Sequence, residues 1–594
     1  MNDPVVLFAV IGGLGIGSQW LAWRLRLPAI VLMLAAGLLA GPGLGLIQPG
    51  VAFGDLFRPL VAVAVAVILF EGGLTLKFSE LRESGTAVRR LVFLGAPLGW
   101  FFAFWALRMG AGLSVETAAV FGGILIVTGP TVIIPLLRQA KLAQRPASIL
   151  RWEAIVNDPV GALAAVLAFE VVAAVHGHGT LGEAAWHLFY GIAFASVVGV
   201  VAGRGLALAF RRGMVPEYMK VPVLFGLVLA VYAGTDTVLH ESGLLAVTIM
   251  GIVIANAHLP SFTELQRFKE HATVILVSGV FVMLAASLER SMILSLDFGA
   301  LMAVVLVIFV ARPLAVFLSL AGTGLPTAEK LMVAWIGPRG VVAVAVSGLF
   351  GARLVDLGIE DGALLTPLAF AIVAATVILH GFSIGPLARV LALTSKRPEG
   401  VILVGGSAWA TALGAELQEA GLPVLIADRN YMGLRRARQA GLEVFHGEIL
   451  SEAAEHTVPM SHYGTLIAAT YNDDYNALIC TDFGPEFGRN NVFQLGRNGE
   501  DDGARRVTLG GRQLARGLGY DEMARRFADG WEFVSTPISE EYGVETYLAE
   551  RDGVEVIGVI RGGSGKVVFA TDGAMPSVSA GDTLMGFLKR GEAA

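Results

Sequence analysis

The chain has 594 residues, 55% of them hydrophobic and only 15% charged, with a mean hydropathy of +0.69. Soluble domains carry about 25% charged residues, so composition excludes an ordinary soluble protein, and a net charge of −6 leaves no basic face for nucleic acid. The single cysteine, Cys480, excludes an intrachain disulfide and any cysteine-based metal cluster, and reads as a small buried residue.

The apolar character is confined to residues 1–393. The first run, Val5 to Trp23, lacks a basic leader and ends in Arg24 and Arg26, so no cleavable signal is expected. A spanning helix needs about 20 mostly apolar residues. Runs of that kind fall near 4–23, 28–47, 58–76, 87–108, 115–137, 148–175, 184–210, 219–239, 242–258, 271–289, 297–320, 328–350 and 362–391. Thirteen spans put the termini on opposite sides. Alternate loops carry Arg24, Arg89, Arg90, Arg145, Arg151, Arg211, Arg212, Arg389, Lys396 and Arg397, whereas the intervening ones carry mostly Glu116, Glu183, Asp297, Glu360 and Asp361. The positive-inside rule then predicts a cytoplasmic tail and an external N-terminus, in a multi-pass protein of the cell's plasma (inner) membrane.

The fifth run is broken by Thr128-Gly129-Pro130-Thr131 and the twelfth by Gly337-Pro338-Arg339-Gly340. Proline removes a backbone donor, and unwound backbone at membrane depth survives only against protein or a wet cavity. Two interrupted spans in corresponding halves are the pattern of an inverted-repeat transporter with its site between the repeats; a pair of plain proline kinks is the bland alternative.

The sixth run carries Glu153, Asn157 and Asp158. Carboxylates in hydrocarbon are costly and mark function by default. Glu153 and Asn157 share a helix face, while Asp158 is turned from Glu153 by roughly 140°, so the two acids need not share one role. Pro159 follows and predicts a kink. Arg312, in an apolar run before Pro313, and Arg339, in the second break, each call for an acidic partner or a wet cavity. Pairing Glu153 with one arginine leaves Asp158 to alternate between proton and cation. Glu71 reads as a span end, Asp236 and His240-Glu241 as loop chemistry, and His176 and His178 as a solvated turn.

On Glu153…Asn157-Asp158, Arg312-Pro313, Gly337-Pro338-Arg339-Gly340 and Glu241-Ser242-Gly243-Leu244-Leu245-Ala246, the chain resembles the monovalent cation/proton antiporters of the NhaP and sodium–hydrogen exchanger type. The resemblance implies an all-α polytopic membrane domain of thirteen helices, divided into a dimerisation domain and a mobile six-helix core, with elevator-like exchange in a homodimer. It implies a monovalent cation and proton at Asp158, Glu153 paired with Arg312, and Thr128 or Thr131 lining the ion site. Gly129 stands where many relatives have Asp, and Ala154 where a hydroxyl residue often follows the glutamate; both bear on the choice between Na+, the favoured cation, and K+. A ligand-gated cation channel is the competing class, but no repeated filter-like loop lies between short pore helices.

From about residue 399 charge rises. Val401–Val404, Gly405-Gly406-Ser407-Ala408-Trp409-Ala410, a helical stretch and a strand ending in Asp428 form a dinucleotide-type strand, turn, helix and strand, with Ser407 and Ala410 replacing two glycines. Further strands are expected at 441–447, 465–470 and 491–495, with Asn472 just after one of them. This segment, 399–515, resembles the nucleotide-binding RCK or TrkA-N domain, and residues 525–594 its β-rich α+β companion. Gly405, Gly406, Ser407, Asp428 and Asn472 are the candidate contacts for a regulatory adenine nucleotide, AMP, ATP or NAD(H); a Rossmann-like domain retained for dimer contacts is the other reading. No catalytic constellation lies beside this fold, so no enzyme is expected and no covalently bound cofactor.

Overall fold

The computed structural model describes all residues except 1–2, 26, 79–80, 141, 178–179, 258–261, 295, 395–399, 452–453, 455–456, 459, 497–509, 516–517, 552, 563–564, 572–574 and 590–594. Arg26, His178, Lys396 and Arg397 lie outside the described residues, as does most of the expected boundary between 393 and 399. The chain forms two units, Met1–Ser395 and Lys396–Ala594.

The first unit is helical throughout. In chain order its main helices are α1 (Pro4–Leu25), α2 (Ala29–Leu38), α3 (Phe57–Leu74), α4 (Ala96–Gly110), α5 (Val115–Ile124), α6 (Pro130–Ala140), α7 (Gln144–Val175) and α8 (Leu181–Arg211). There follow α9 (Lys220–Asp236), α10 (Ser242–Ala255), α11 (Phe262–Ala286), α12 (Phe298–Leu306), α13 (Arg312–Ser319), α14 (Thr327–Trp335), α15 (Val341–Asp356) and α16 (Leu365–Val390). Every apolar run holds one or two of these helices. Among the described residues, eight helical stretches are long and apolar enough to cross a membrane, and four more are apolar but shorter. Large side chains such as Phe93, Trp105, Phe189 and Phe298 are exposed on this unit, which suits a surface facing lipid.

Small residues set the close packing. Gly73 on α3 and Gly251 on α10 leave no room for side chains, since a methyl on either would stand 3.2 or 3.1 Å from the other's Cα. Helices α12 and α13 form one rod, joined by a π turn over Val307–Ala311. That turn lies immediately before Arg312-Pro313, where the missing proline N–H already weakens the ladder. Pro159, in contrast, does not interrupt α7, which runs continuously for 32 residues. At 1.5 Å per residue that is about 48 Å, longer than a hydrocarbon core of about 30 Å.

The second unit contains β1 (Gly400–Val404), β2 (Val424–Asp428), β3 (Glu443–His446), β4 (Tyr463–Ala468), β5 (Val492–Gln494) and β6 (Arg512–Gln513). They form one parallel sheet in the order β3-β2-β1-β4-β5-β6, with Val401 opposite Val424 on one side and Thr465 on the other. This is the doubly wound order, whose ligands bind beyond the carboxyl ends of the central strands. Its helices include α17 (Ala408–Glu419) and α18 (Asp473–Phe487). The short α19 (Tyr520–Ala528) leads into an antiparallel sheet of β7 (Trp531–Pro537), β8 (Glu555–Ile560), β9 (Val567–Phe569) and β10 (Thr583–Lys589), in the order β7-β10-β8-β9.

Candidate ion and nucleotide sites

The sequence half-helix, break, half-helix, long helix occurs twice, over 115–175 and 327–390. Residues 125–129 and 336–340 are non-helical. Proline at the first position of α6 suits a helix start, where its missing N–H costs nothing. The two breaks cross at Gly129 and Gly340. A methyl on Gly340 would stand 2.6 Å from Gly129 Cα, and Gly129 N–H donates to Pro338 O at 3.2 Å. Only glycine at both positions permits this backbone contact.

Each arginine answers the end of one half-helix. Arg339 Nη1 donates to Val127 O at 3.1 Å and Ile126 O at 3.5 Å, just beyond the C-terminus of α5, while its backbone N–H meets Thr376 Oγ1 at 3.1 Å. Arg312 Nη2 donates to Val333 O at 3.1 Å and Ile336 O at 3.0 Å, at the C-terminus of α14. Guanidinium groups at these ends satisfy carbonyls that the broken ladder leaves open and oppose the negative end of the helix dipole. For Arg339, where an acidic partner or a wet cavity was expected, these carbonyls accept its hydrogen bonds.

Arg312 also meets Glu153 as a two-pronged ion pair, Nη2 to Oε2 at 2.9 Å and Nη1 to Oε1. Asp158 points elsewhere, as its rotation around α7 requires. A methyl on Gly340 would lie 3.9 Å from Asp158 Oδ1, so the carboxylate sits beside the crossing. It is 1% exposed, and Oδ1 has no hydrogen-bond partner. Asn157 Oδ1, Thr128 Oγ1 and Thr131 Oγ1 are likewise buried and without a partner. Helices α6 and α15 begin at this crossing, at Pro130 and Val341, so their positive ends lie where the chain breaks. Buried polar atoms in native proteins are nearly always paired. Oxygens of acids, amides and hydroxyls are the ligand type that hard cations take.

Sequence reasoning passed over His380 on α16. Its ring is buried 6.0 Å from that of Trp335, and neither ring nitrogen has a partner.

In the second unit, Gly405, Gly406, Ser407, Asp428 and Asn472 all line one cleft at the carboxyl ends of the sheet. Gly405 has φ +125°, and a methyl there would lie 2.6 Å from Ala469 O. Ser407, in place of the second glycine, caps α17, its Oγ accepting from Ala410 N–H at 3.2 Å. Asn472 caps α18 in the same way through Tyr475 N–H at 2.9 Å. Asp428 accepts from Gly406 N–H at 2.6 Å and from Asn430 N–H at 2.7 Å. Tyr520 of α19 also lines the cleft. Burial, then the carboxylates of Asp428 and Asp521, push its phenol above the ordinary tyrosine range.

Residues 6–390 match the family described as "Sodium/hydrogen exchanger, transmembrane", and residues 401–489 match the TrkA-N domain. The chain is 28% identical over 410 residues to the "K(+)/H(+) antiporter NhaP" of Alkalimonas amylolytica, covering 67% of this chain and 69% of that one. It is 28% identical over 345 residues to "Na(+)/H(+) antiporter 1" of Methanocaldococcus jannaschii, covering 56% and 80%. The fold of the first unit is similar to the solved structure of the sodium proton antiporter MjNhaP1 from that organism at pH 8. The TM-score is 0.57 at 24% identity, with 64% of this chain and 98% of that chain covered.

Proposed function

The chain belongs to the sodium/hydrogen exchanger family, and from that premise we propose that this monovalent cation/proton antiporter binds its two substrates in turn at Asp158. The observation that carries the reading is the contrast between two acids of one helix. Glu153 is held by Arg312, whereas Asp158 Oδ1 lies buried without a partner beside the crossing of the two breaks. Ionised, Asp158 attracts a cation, and Asn157, Thr128 and Thr131 supply further oxygens. Protonated, it releases the cation. A bare buried carboxylate is expensive, so only the cation-bound and protonated forms cross. One titrating acid then gives one-for-one, electroneutral exchange.

The Glu153–Arg312 pair is structural in this scheme, and Arg339, with Gly129, Pro130, Gly337 and Pro338, shapes the crossing. The crossing helices move as part of a core that carries Asp158 from one side to the other, in a homodimer of thirteen-span subunits with external N-termini and cytoplasmic tails. Residues 1–393, 399–515 and 525–594 are its three domains. Sodium is the favoured cation, in keeping with the named activity of the Methanocaldococcus relative. Potassium is the second reading, favoured by the named activity of the Alkalimonas relative and by the TrkA-N tail. The tail regulates exchange through an adenine nucleotide in the cleft beside Gly405, Gly406, Ser407, Asp428 and Asn472.

Purified protein in liposomes tests this directly. Proton flux is driven by Na+, K+ or Li+ gradients, with and without AMP, ATP or NADH. Asp158→Asn is expected to fold and to show no exchange; cation-driven proton flux in that variant refutes the assignment.

A further inference from the structure

The crossing helices are also tied at the ends remote from Asp158. Ser114 caps α5, its Oγ accepting from Thr117 N–H at 3.2 Å. Onto this end comes Asp361, from the single turn Glu360–Leu364 that precedes α16. Its Oδ2 accepts from Ser114 N–H at 2.6 Å, and its Oδ1 from the hydroxyls of Ser114 at 3.0 Å and Thr117 at 2.6 Å. At the start of α14, Glu329 is 7% exposed and is gripped by Arg145 from the start of α7, Nε donating to Oε2 at 2.8 Å and Nη2 to Oε1.

The two contacts are equivalent by position. Thr117 and Glu329 are each the third residue of the first half-helix in their repeat, 115–175 or 327–390. Asp361 and Arg145 each come from the segment opening the long helix of the other repeat, so each repeat holds the other. The chemistry differs, with the carboxylate on the loop at one end and on the helix at the other. In both cases a carboxylate lies at a helix N-terminus, where open N–H groups and the positive dipole end favour it.

Half-helices of ten and nine residues are too short to be stable alone. Fixed only at the crossing, they would be free to swing and change the spacing of Gly129, Gly340 and the oxygens around Asp158. We propose that Asp361 and Arg145 are positioning residues that clasp the two broken helices at their remote ends and thereby set the affinity of the cation site. The proposal rests on the reading of Asp158 as that site.

The test uses full-length protein in liposomes, with the half-saturating Na+ or K+ concentration and the maximum rate measured separately. Asp361→Asn, Thr117→Val and Glu329→Gln are each expected to raise the half-saturating concentration roughly fivefold, with the maximum rate little changed. That is the equivalent of a lost helix-capping contact of about 1 kcal/mol. Asp361→Asn combined with Thr117→Val is expected to do no more than Asp361→Asn alone, because both disable one clasp. The exposed neighbour Glu360→Gln serves as the unaffected control. Folded Asp361→Asn and Glu329→Gln proteins with the parental half-saturating concentration overturn the proposal. So does a double variant whose effect is the product of the two singles. If Asp361→Asn does not fold, Thr117→Val and Arg145→Lys decide by the same readout, lysine being unable to reproduce the two-pronged grip. Exchange in Asp158→Asn would refute the ion-site reading separately, without touching the measured effect of the clasps.

Discussion

Replacing Glu153 by Gln removes one charge of a buried pair and leaves Arg312 behind. Glu153 is 2% exposed, and the side chain of Arg312 is 10% exposed, so water does little to compensate. Breaking such a pair from one side costs about 3–5 kcal/mol. Arg312 retains Val333 O and Ile336 O at 3.1 and 3.0 Å, which continue to solvate it, so Glu153→Gln falls at the lower end, about 3 kcal/mol. Arg312→Gln is worse, because it strands a carboxylate and deprives the end of α14 of its donor, and reaches about 5 kcal/mol. The double variant buries no unpaired charge and falls short of the sum of the singles by up to about 3 kcal/mol. Large domains lose about 2–4 °C per kcal/mol, and bigger units less, so the melting midpoint of Glu153→Gln should fall by about 3–6 °C. Intrinsic-fluorescence melts of detergent-solubilised protein measure this. A Glu153→Gln midpoint equal to the parent, or strictly additive losses in the double variant, would refute the pairing as a source of stability.

Gly340→Ala places a methyl 2.6 Å from Gly129 Cα; the crossing must open, costing about 1–3 kcal/mol, and exchange in liposomes should be lost, so parental rates would contradict the geometry. Thr128→Val removes a buried hydroxyl that has no partner to lose; the melting midpoint should hold or rise while the half-saturating cation concentration increases, and a lower midpoint with unchanged affinity would remove Thr128 from the site. In the tail, Ser579 N–H and then Arg561 hold the carboxyl of Asp582 below its ordinary range. A depressed folded value means the ionised group stabilises the fold above the unfolded value of about 4 and loses that effect as pH falls through the folded one. Asp582→Asn should therefore lower the melting transition of the tail at neutral pH, with the difference shrinking below about pH 4; a difference independent of pH would count against it.

The apolar runs, the two Gly-Pro breaks and the placement of Glu153 and Asp158 on separate faces were legible because they are local. Periodicity, proline chemistry and the cost of charge in oil act within a few residues. The same holds for the turn from β1 into α17 and for Asp428 at the end of β2. What was not legible depends on distant partners. Asp361 lies 247 residues from Ser114, and Glu329 lies 184 from Arg145, and each looks like an ordinary loop or helix-end charge. Arg339 carried an expectation of an acid or a wet cavity, and backbone carbonyls freed by the other break accept its hydrogen bonds. Asn472 lines the cleft, and that its side chain also caps α18 was not legible. The strand Trp531–Pro537 was missed because it lacks the strict alternation of a half-buried strand; its neighbours in the antiparallel sheet supply the pattern.

At Gly129 and Gly340 main chain lies directly on main chain, with no side chain between that could rotate or yield. Such a joint has no slack to absorb a displacement, so a shift of either half-helix bears at once on its counterpart.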